Sequence, residues 1–372
     1  VTIKYKLKGA ITNMTITNET KPLDMAKLEA FVGRAVTEAA ITLSSALVLI
    51  GDKLGLYKAM AGSEPLTSTE LAARTNTTER YVREWLINQA SGGFIDYDPA
   101  TQRYSMSPEY AIALTDESSP AFVIGLFQSA VAISRAEPRI MEAFRSGNGM
   151  PWGDHDSDLF QGTQRVFRPG YATNLVSNWL PALEGVSAKL EAGATVADVG
   201  CGIGISTIIM AQAYPRSRFV GFDFHAPSIE RARQEAVKAG VADRVTFEVK
   251  KANEYPGTNY DLIAFFDCLH DMGNPIEVVK RARQAIASDG TLLLVEPMAG
   301  DKVEDNFNPV GRFFSAASTM CCTPNSIAGG GNPSLGAVAT EQQIREVVLA
   351  GGFNSFRRAM ATPFNRLFEA RP

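Results

Sequence analysis

The sequence predicts an α/β protein, with a mostly parallel sheet closed by an antiparallel hairpin and preceded by a mostly helical domain. Three observations carry this. From Val196 onward, short apolar runs of strand length alternate with segments of helical periodicity. One of those runs opens into a glycine-rich turn and then a helix, in Val196-Ala-Asp-Val-Gly-Cys-Gly-Ile-Gly-Ile-Ser206. Before residue 110 the pattern is helical, with a single hairpin signal.

Length and composition set the frame. The chain has 372 residues, enough for two domains. It is 45% hydrophobic and 20% charged, the profile of a globular protein with a sizeable core. A net charge of −4 gives no overall attraction to nucleic acid or to anionic membrane. The four cysteines, Cys201, Cys268, Cys321 and Cys322, lack paired spacing and fit a reducing compartment. Val1 to Thr20 has no apolar run of the signal-peptide kind, and Ala35 to Ile50 is short for a membrane span and carries Glu38. A cytoplasmic protein is expected, with no membrane association.

Residues 1–24 read as an arm, in which Ile3, Tyr5 and Leu7 permit an edge strand. Leu23 to Met60 is helical, and Phe31, Ala35, Ala39, Leu43, Leu47 and Ile50 make a stripe at three- and four-residue steps. Packing inside the monomer and a seam with a second copy both account for that stripe. Thr67 and Glu70 form a capping box for a helix through Arg74, and Thr77 can cap a second helix through Ile87. Gly92-Gly93 stops it, and Phe94 to Tyr97 pairs with Arg103 to Met106 across Asp98-Pro-Ala-Thr101. Helix, turn, helix and hairpin make a winged helix, a fold common among DNA-binding regulators. Here Arg80 and Arg83 are interleaved with Glu79 and Glu84, which argues against reading DNA, so nucleic acid is not an expected partner.

Residues 111–192 read as a helical connector. Within it, Met150-Pro-Trp-Gly-Asp-His-Asp156 is a loop in which Trp152 and His155 either line a pocket or plug a domain junction. Arg168 and Tyr171 fall on the helix ahead of the glycine turn, where a partner for a ligand carboxylate would come from.

In the glycine turn, Gly200, Gly202 and Gly204 bring bare backbone close to a ligand. A second strand, Arg218 to Phe222, ends at Asp223, placed to accept both hydroxyls of a ribose. Strand, glycine turn, helix, strand and acid together bind a nucleoside. The spacing is G-x-G-x-G, without the final glycine of the dinucleotide fingerprint, so a nicotinamide cofactor is disfavoured. A helix from Ser228 to Gly240 follows, then strands at Val245–Val249, Tyr260–Phe266 and Thr291–Glu296, with a helix from Ile276 to Ile286 between the last two. A helix from Glu341 to Ala350 and strands at Phe356–Met360 and Asn365–Glu369 close the chain. An insertion at about 298–339, with an apolar helix around Phe313 to Met320 and Gly329-Gly-Gly331, stands where a lid or acceptor wall belongs. In it Cys321 and Cys322 either hold a soft metal or are idle thiols; without a third ligand in view, no metal is expected.

Asp198 with Gly200, Gly202 and Gly204 resembles motif I of class I S-adenosylmethionine (SAM)-dependent methyltransferases. Phe265-Phe-Asp-Cys-Leu-His-Asp-Met-Gly-Asn-Pro275, followed by a helix and the Gly290 to Glu296 strand, is similar to the O-methyltransferase pattern in which the histidine is the general base. The resemblance covers about 27–372 and extends to a bacterial group of winged-helix methyltransferases, often labelled as regulators, that share Tyr-Val-Arg-Glu-Trp-Leu and Phe-Asp-Cys-Leu-His-Asp-Met-Gly. It implies a Rossmann-like class I methyltransferase sheet at 193–372, a winged-helix domain at 25–110 that mediates homodimerisation, and SAM as cofactor. It places Asp198, Gly200, Gly202, Gly204, Asp223, Phe224, Ala252, Asn253 and Asp267 at the cofactor, and His270 with Asp271 at the chemistry. Lys251-Ala-Asn253 departs from the acid-plus-small pair usual at the adenine edge, so adenine contacts are expected from backbone and Asn253. Trp152, His155, Phe266, Met272, Phe313 and Met320 are the expected walls for a small, mostly apolar acceptor bearing a hydroxyl or a thiol. Two alternatives stand beside this reading: a SAM-sensing winged-helix regulator, and for His270 a structural role capping the next helix.

Overall fold

The computed structural model describes residues 23–372. The expected edge strand at Ile3, Tyr5 and Leu7 lies outside them. The chain divides into two compact units, one ending at Ser44 and the other running from Ser45 to Pro372. Helix α1, Met25–Lys53, continues across that division, and Gly55 at φ 71° starts the separate α2, Leu56–Met60. The predicted stripe stays exposed at every position but half-buried Leu47, and the buried residues of the helix fall outside the stripe. Phe31 and Leu43 are 57% and 75% exposed, whereas Val48, Leu49 and Gly51 are buried. The whole helix has 29 residues and, by length and composition alone, is long and apolar enough to cross a membrane. That corrects the sequence reading, which weighed only Ala35 to Ile50.

α3 (Ser68–Thr75) and α4 (Glu79–Ser91) precede a hairpin of β1 (Asp96–Asp98) and β2 (Arg103–Ser105), the expected arrangement with the first strand shifted so that Asp98, expected in the turn, pairs with Arg103. The capping box is present: the Thr67 hydroxyl accepts from the Glu70 N–H, and the Glu70 carboxylate accepts from the Thr67 N–H at 2.7 Å. Thr78, rather than Thr77, stands at the start of α4, because Thr77 Oγ1 pairs with Thr75 Oγ1 at 2.8 Å. Tyr57, Leu71, Val82, Trp85, Leu86 and Ile95 form one core, which continues past α5 (Pro108–Thr115) to Ile124. Three longer helices follow: α6 (Ile124–Ser134), α7 (Glu137–Ser146) and α8 (Ser157–Asn174).

After α9 (Val186–Ala192) the sheet begins. Its seven strands are β3 (Thr195–Val199), β4 (Arg218–Asp223), β5 (Val245–Val249), β6 (Tyr260–Phe266), β7 (Ile286–Pro297), β8 (Ser355–Ala361) and β9 (Asn365–Arg371). They lie in the order β5-β4-β3-β6-β7-β9-β8, parallel except where β9 pairs with β7 and β8. The helices that cover it are α10 (Ile205–Ala213) and α11 (Ala226–Lys238) on one face, and α12 (Pro275–Ala285) and α15 (Glu341–Ala350) on the other. Alternate strand residues serve the two faces: Val196, Leu262 and Leu293 pack beneath α10 and α11, while Ala197, Ile263 and Leu292 pack beneath α12 and α15. Burial on both faces explains the continuous apolar runs.

The insertion between β7 and α15 contains α13 (Pro309–Ala317), a wide helical turn at Ser318–Cys322, and α14 (Thr323–Ala328). Its two ends are held together by Arg366 of β9. That fully buried guanidinium donates to the carbonyls of Pro297 at 3.0 Å and Ala339 at 2.8 Å.

Candidate active site

A cavity of about 590 Å³ opens over the C-terminal ends of β3, β4 and β6, where ligands sit in sheets of this kind. Its floor is the glycine turn. Gly200, Gly202 and Gly204 have φ of 77°, 54° and 79°, a region that other residues enter at a cost. A Cβ at Gly204 would overlap the Phe247 ring, whereas one at Gly202 would meet nothing within 4 Å. Gly200 and Gly202 line the cavity, and Gly204 lies behind it, where it lets the turn pack on β5.

Asp198 also works from beneath. It is fully buried, and its Oδ2 accepts from the Ser206 and Thr207 hydroxyls, each at 2.6 Å. Burial raises its pKa to about 6 despite those two bonds. It ties the start of α10 to β3, its Oδ1 has no partner among the described residues, and neither Asp198 nor Gly204, both expected at the cofactor, lines the cavity.

Asp223 does reach the cavity. Its carboxylate accepts from the backbone N–H of Gly202 at 2.9 Å and of His225 at 2.8 Å. Burial raises its pKa, and the two N–H donors oppose that shift. Each oxygen keeps a further lone pair for a ligand hydroxyl. Beside it Phe224 is 52% exposed, an apolar face turned to the cavity, and Ala252 and Asn253 form the adjoining edge.

Across the cavity Asp267 stands at φ 51°. Its Oδ2 accepts from the Tyr171 hydroxyl and its Oδ1 from the Asn365 amide, both at 2.8 Å. Burial pushes its pKa up to about 7, with the Tyr171 bond pulling the other way. Tyr171 thus belongs to the site, while Arg168 faces a separate polar cleft of about 360 Å³. Asn365 carried no sequence signal, being 98 residues from its partner.

His270 sits on the short turn Leu269–Asp271 after β6, one layer behind the cavity wall made by Cys268, Asp271 and Met272. The ring is 4% exposed, and Nδ1 lies 2.6 Å from Glu296 Oε2. Burial lowers its pKa, but the Glu296 carboxylate and neighbouring Cys322 together outweigh that and carry it well above the usual histidine value. Neighbouring Asp271 is raised to about 7, first by burial. His270 does not cap the next helix; the Asn274 side chain does, accepting from the Glu277 N–H at 3.3 Å.

The insertion grips this turn by its backbone. Asn325 Nδ2 donates to the Asp271 carbonyl at 2.9 Å, Ser326 Oγ to that of Met272 at 2.9 Å, and the Gly336 N–H to that of His270 at 2.8 Å. A Cβ at Gly273 would overlap the backbone of Gly329, so the close approach requires glycine there. Asn325 also accepts from the Trp152 N–H at 2.9 Å, which sets the Trp152 loop on the same support.

Of the six expected acceptor contacts, Trp152, Phe266 and Met272 line the cavity. His155, Phe313 and Met320 do not. The turn Trp152–Asp154 sends Trp152 against Phe160 and His155 inward, where it is 6% exposed and neither ring nitrogen has a hydrogen-bond partner among the described residues. Met320 packs with Ile140 and Met150, and Phe313 lies edge-on to Phe314 of α13. The residues that sequence reasoning missed, Phe160, Gln164, Phe167 and Asn325, come from α8 and the insertion. Their exposure to the cavity depends on how those segments are folded back.

Residues 39–116 match the family described as Rv2258c-like winged HTH domain, and residues 190–343 match a methyltransferase domain. The chain is 32% identical over 145 residues to 27-O-demethylrifamycin SV methyltransferase of Amycolatopsis mediterranei, covering 38% of this chain and 48% of that protein. It is 29% identical over 147 residues to the ubiquinone biosynthesis O-methyltransferase of Pseudomonas paraeruginosa, covering 38% of this chain and 56% of the other. The matched segments thus span about half the length of these curated relatives. Among solved structures, human N-acetylserotonin methyltransferase in complex with SAM aligns with a TM-score of 0.69 at 16% identity, covering 95% of this chain and 99% of that one. The mitomycin 7-O-methyltransferase MmcR aligns with a TM-score of 0.68 at 19% identity, covering 94% and 99%. Those two likenesses establish the fold. The chain thus carries a winged helix-turn-helix domain followed by a methyltransferase domain of the class I fold, for which S-adenosylmethionine is the cofactor.

Proposed function

We propose that the protein transfers a methyl group from SAM to a hydroxyl of a small, mostly apolar acceptor, with His270 as the general base. The observation that carries the cofactor half is Asp223, fixed by two backbone N–H groups beside the bare edge of Gly202 and the open face of Phe224. That is a seat for a ribose and an adenine: a carboxylate for the diol and an aromatic face for the base. SAM supplies a methyl group on a sulfonium, a leaving group already activated.

The remaining work is done by the chain. Trp152, Phe266 and Met272 offer an apolar wall that holds the acceptor and excludes water. Glu296 holds His270 Nδ1, so the base role falls to Nε2. Because the ring lies one layer behind the wall and its neighbours favour the protonated form, it takes the acceptor's proton only after losing its own and once the Asp271 and Met272 side chains move aside. A thiol acceptor, already partly ionised at neutral pH, needs less of this help, and the S-methyl alternative is separated by assay.

The regulator reading is weaker. In α4 Arg80 pairs with Glu84 and Arg83 with Glu79, so the two cations placed to meet phosphates are engaged within their own helix. We propose a second copy of the chain as the partner of α1, on whose surface Phe31, Val32, Val36 and Leu43 are exposed. A single-copy mass by light scattering at micromolar concentration would remove that part. The decisive assay is release of S-adenosylhomocysteine by purified protein with SAM and two panels, phenols and small thiols. Turnover on phenols is expected; tight SAM binding without turnover on either panel sinks the enzyme reading and returns the regulator.

A further inference from the structure

The vicinal thiols Cys321 and Cys322 have no part in the chemistry proposed above. The wide helical turn Ser318–Cys322 buries Cys321 in an apolar cluster with Ala132 and Leu159 and leaves Cys322 half-buried. Cys322 lies beside His270 and Asp271. Its Sγ, a ring nitrogen of His270 and a carboxylate oxygen of Asp271 all lie within 4.8 Å of one another. The third ligand that the sequence lacked is therefore supplied by the fold. Because Glu296 takes Nδ1, the ring nitrogen left for this group is Nε2.

One thiol, one imidazole and one carboxylate form a donor set suited to a borderline-soft divalent cation and ill suited to calcium or magnesium, which take oxygen ligands. A carboxylate on the far nitrogen of the imidazole is the outer contact that orients a ligating histidine. Ligand atoms around tetrahedral zinc lie roughly 3.5 Å apart, so the three donors need to close by about 1 Å.

We propose that His270 Nε2, Asp271 and Cys322 bind a divalent cation of the zinc class, with the fourth position on the cavity side, where Asp271 forms part of the wall. Cation and proton compete for the same nitrogen. A bound cation therefore silences His270 as a base, a consequence that rests on the function proposed above, whereas the site itself does not.

The test uses chelator-stripped full-length protein titrated with Co²⁺ and then Zn²⁺. One equivalent of cobalt should bring up a thiolate-to-cobalt absorption band, and one equivalent of zinc should bleach it. Cys322→Ser should abolish the band and weaken zinc at least tenfold, while Cys321→Ser leaves both in place. Should Cys322→Ser fail to fold by circular dichroism, Asp271→Asn serves instead, with zinc weakened at least fivefold. A wild-type protein without the band, a band that survives Cys322→Ser, or zinc affinity unchanged in Asp271→Asn overturns the proposal. Methyl transfer is not read, so the site and the enzyme reading fail separately.

Discussion

The two sides of the cavity are built in different ways. On the cofactor side the partners are near in sequence: Asp198 reaches Ser206 and Thr207 eight and nine residues on, and Asp223 reaches His225 two residues on and Gly202 twenty-one back. On the base side they are far apart. His270 meets Glu296 across 26 residues, Asp271 meets Asn325 across 54, and Trp152 meets Asn325 across 173. A strand, a tight turn and a helix make the first side almost on their own. The second exists only once β7 has paired and the insertion has folded back.

If the sides are separable, substitutions on each should move different quantities. The largest effect is expected for His270→Ala: kcat on a phenol should fall about 100-fold or more, with SAM affinity by calorimetry unchanged within twofold. A parallel loss of SAM affinity would mean that the two sides are one unit. Next comes Asp223→Ala, where loss of charge-assisted bonds should weaken SAM about 10- to 100-fold. An unchanged Kd there would remove the cofactor assignment.

Asp198 makes a test in pH. Its pKa is raised to about 6 in the folded protein, from about 3.9 unfolded, so the folded state favours the protonated form. The carboxyl therefore costs nothing below about pH 4, costs more as the pH rises toward 6, and costs its full amount above, about 3 kcal/mol in all. In urea unfolding, Asp198→Asn should gain stability over wild type by roughly that amount between pH 4 and 7. A constant difference across that window would contradict the buried-acid account. The smallest effect is expected for Asn325→Ala, which leaves the Trp152 N–H and the Asp271 carbonyl without their bonds. It should cost about 2 kcal/mol and lower turnover while SAM binding holds. Lost SAM binding would show the insertion supporting both sides.

The same contrast governs what could be read from the residues alone. The strands from Val196 to Phe266 and the helix at Glu341 fell where the apolar periodicity put them, because burial on both sheet faces leaves a strong pattern. Gly200, Gly202 and Asp223 were legible for a local reason: a turn with φ above zero and an acid at a strand end announce themselves in consecutive residues. The end of α1 was not, since Gly55 breaks a pattern that periodicity continues to Met60. Asn365, Asn325 and Gln164 left no trace, because nothing near them in the chain marks what they meet.

Sequence by itself determined the order of the elements, the glycine turn, the acid at the end of β4 and the histidine after β6, all set by steric and hydrophobic rules that act within a few residues. Tertiary structure alone decided what surrounds that histidine. Parallel pairing of Phe266 with Val295 brings Glu296 level with the turn that carries His270, and the folded insertion brings Cys322 and Asn325. Those neighbours set its charge and its free nitrogen, and strand register and long-range closure place them, which no short stretch of chain encodes.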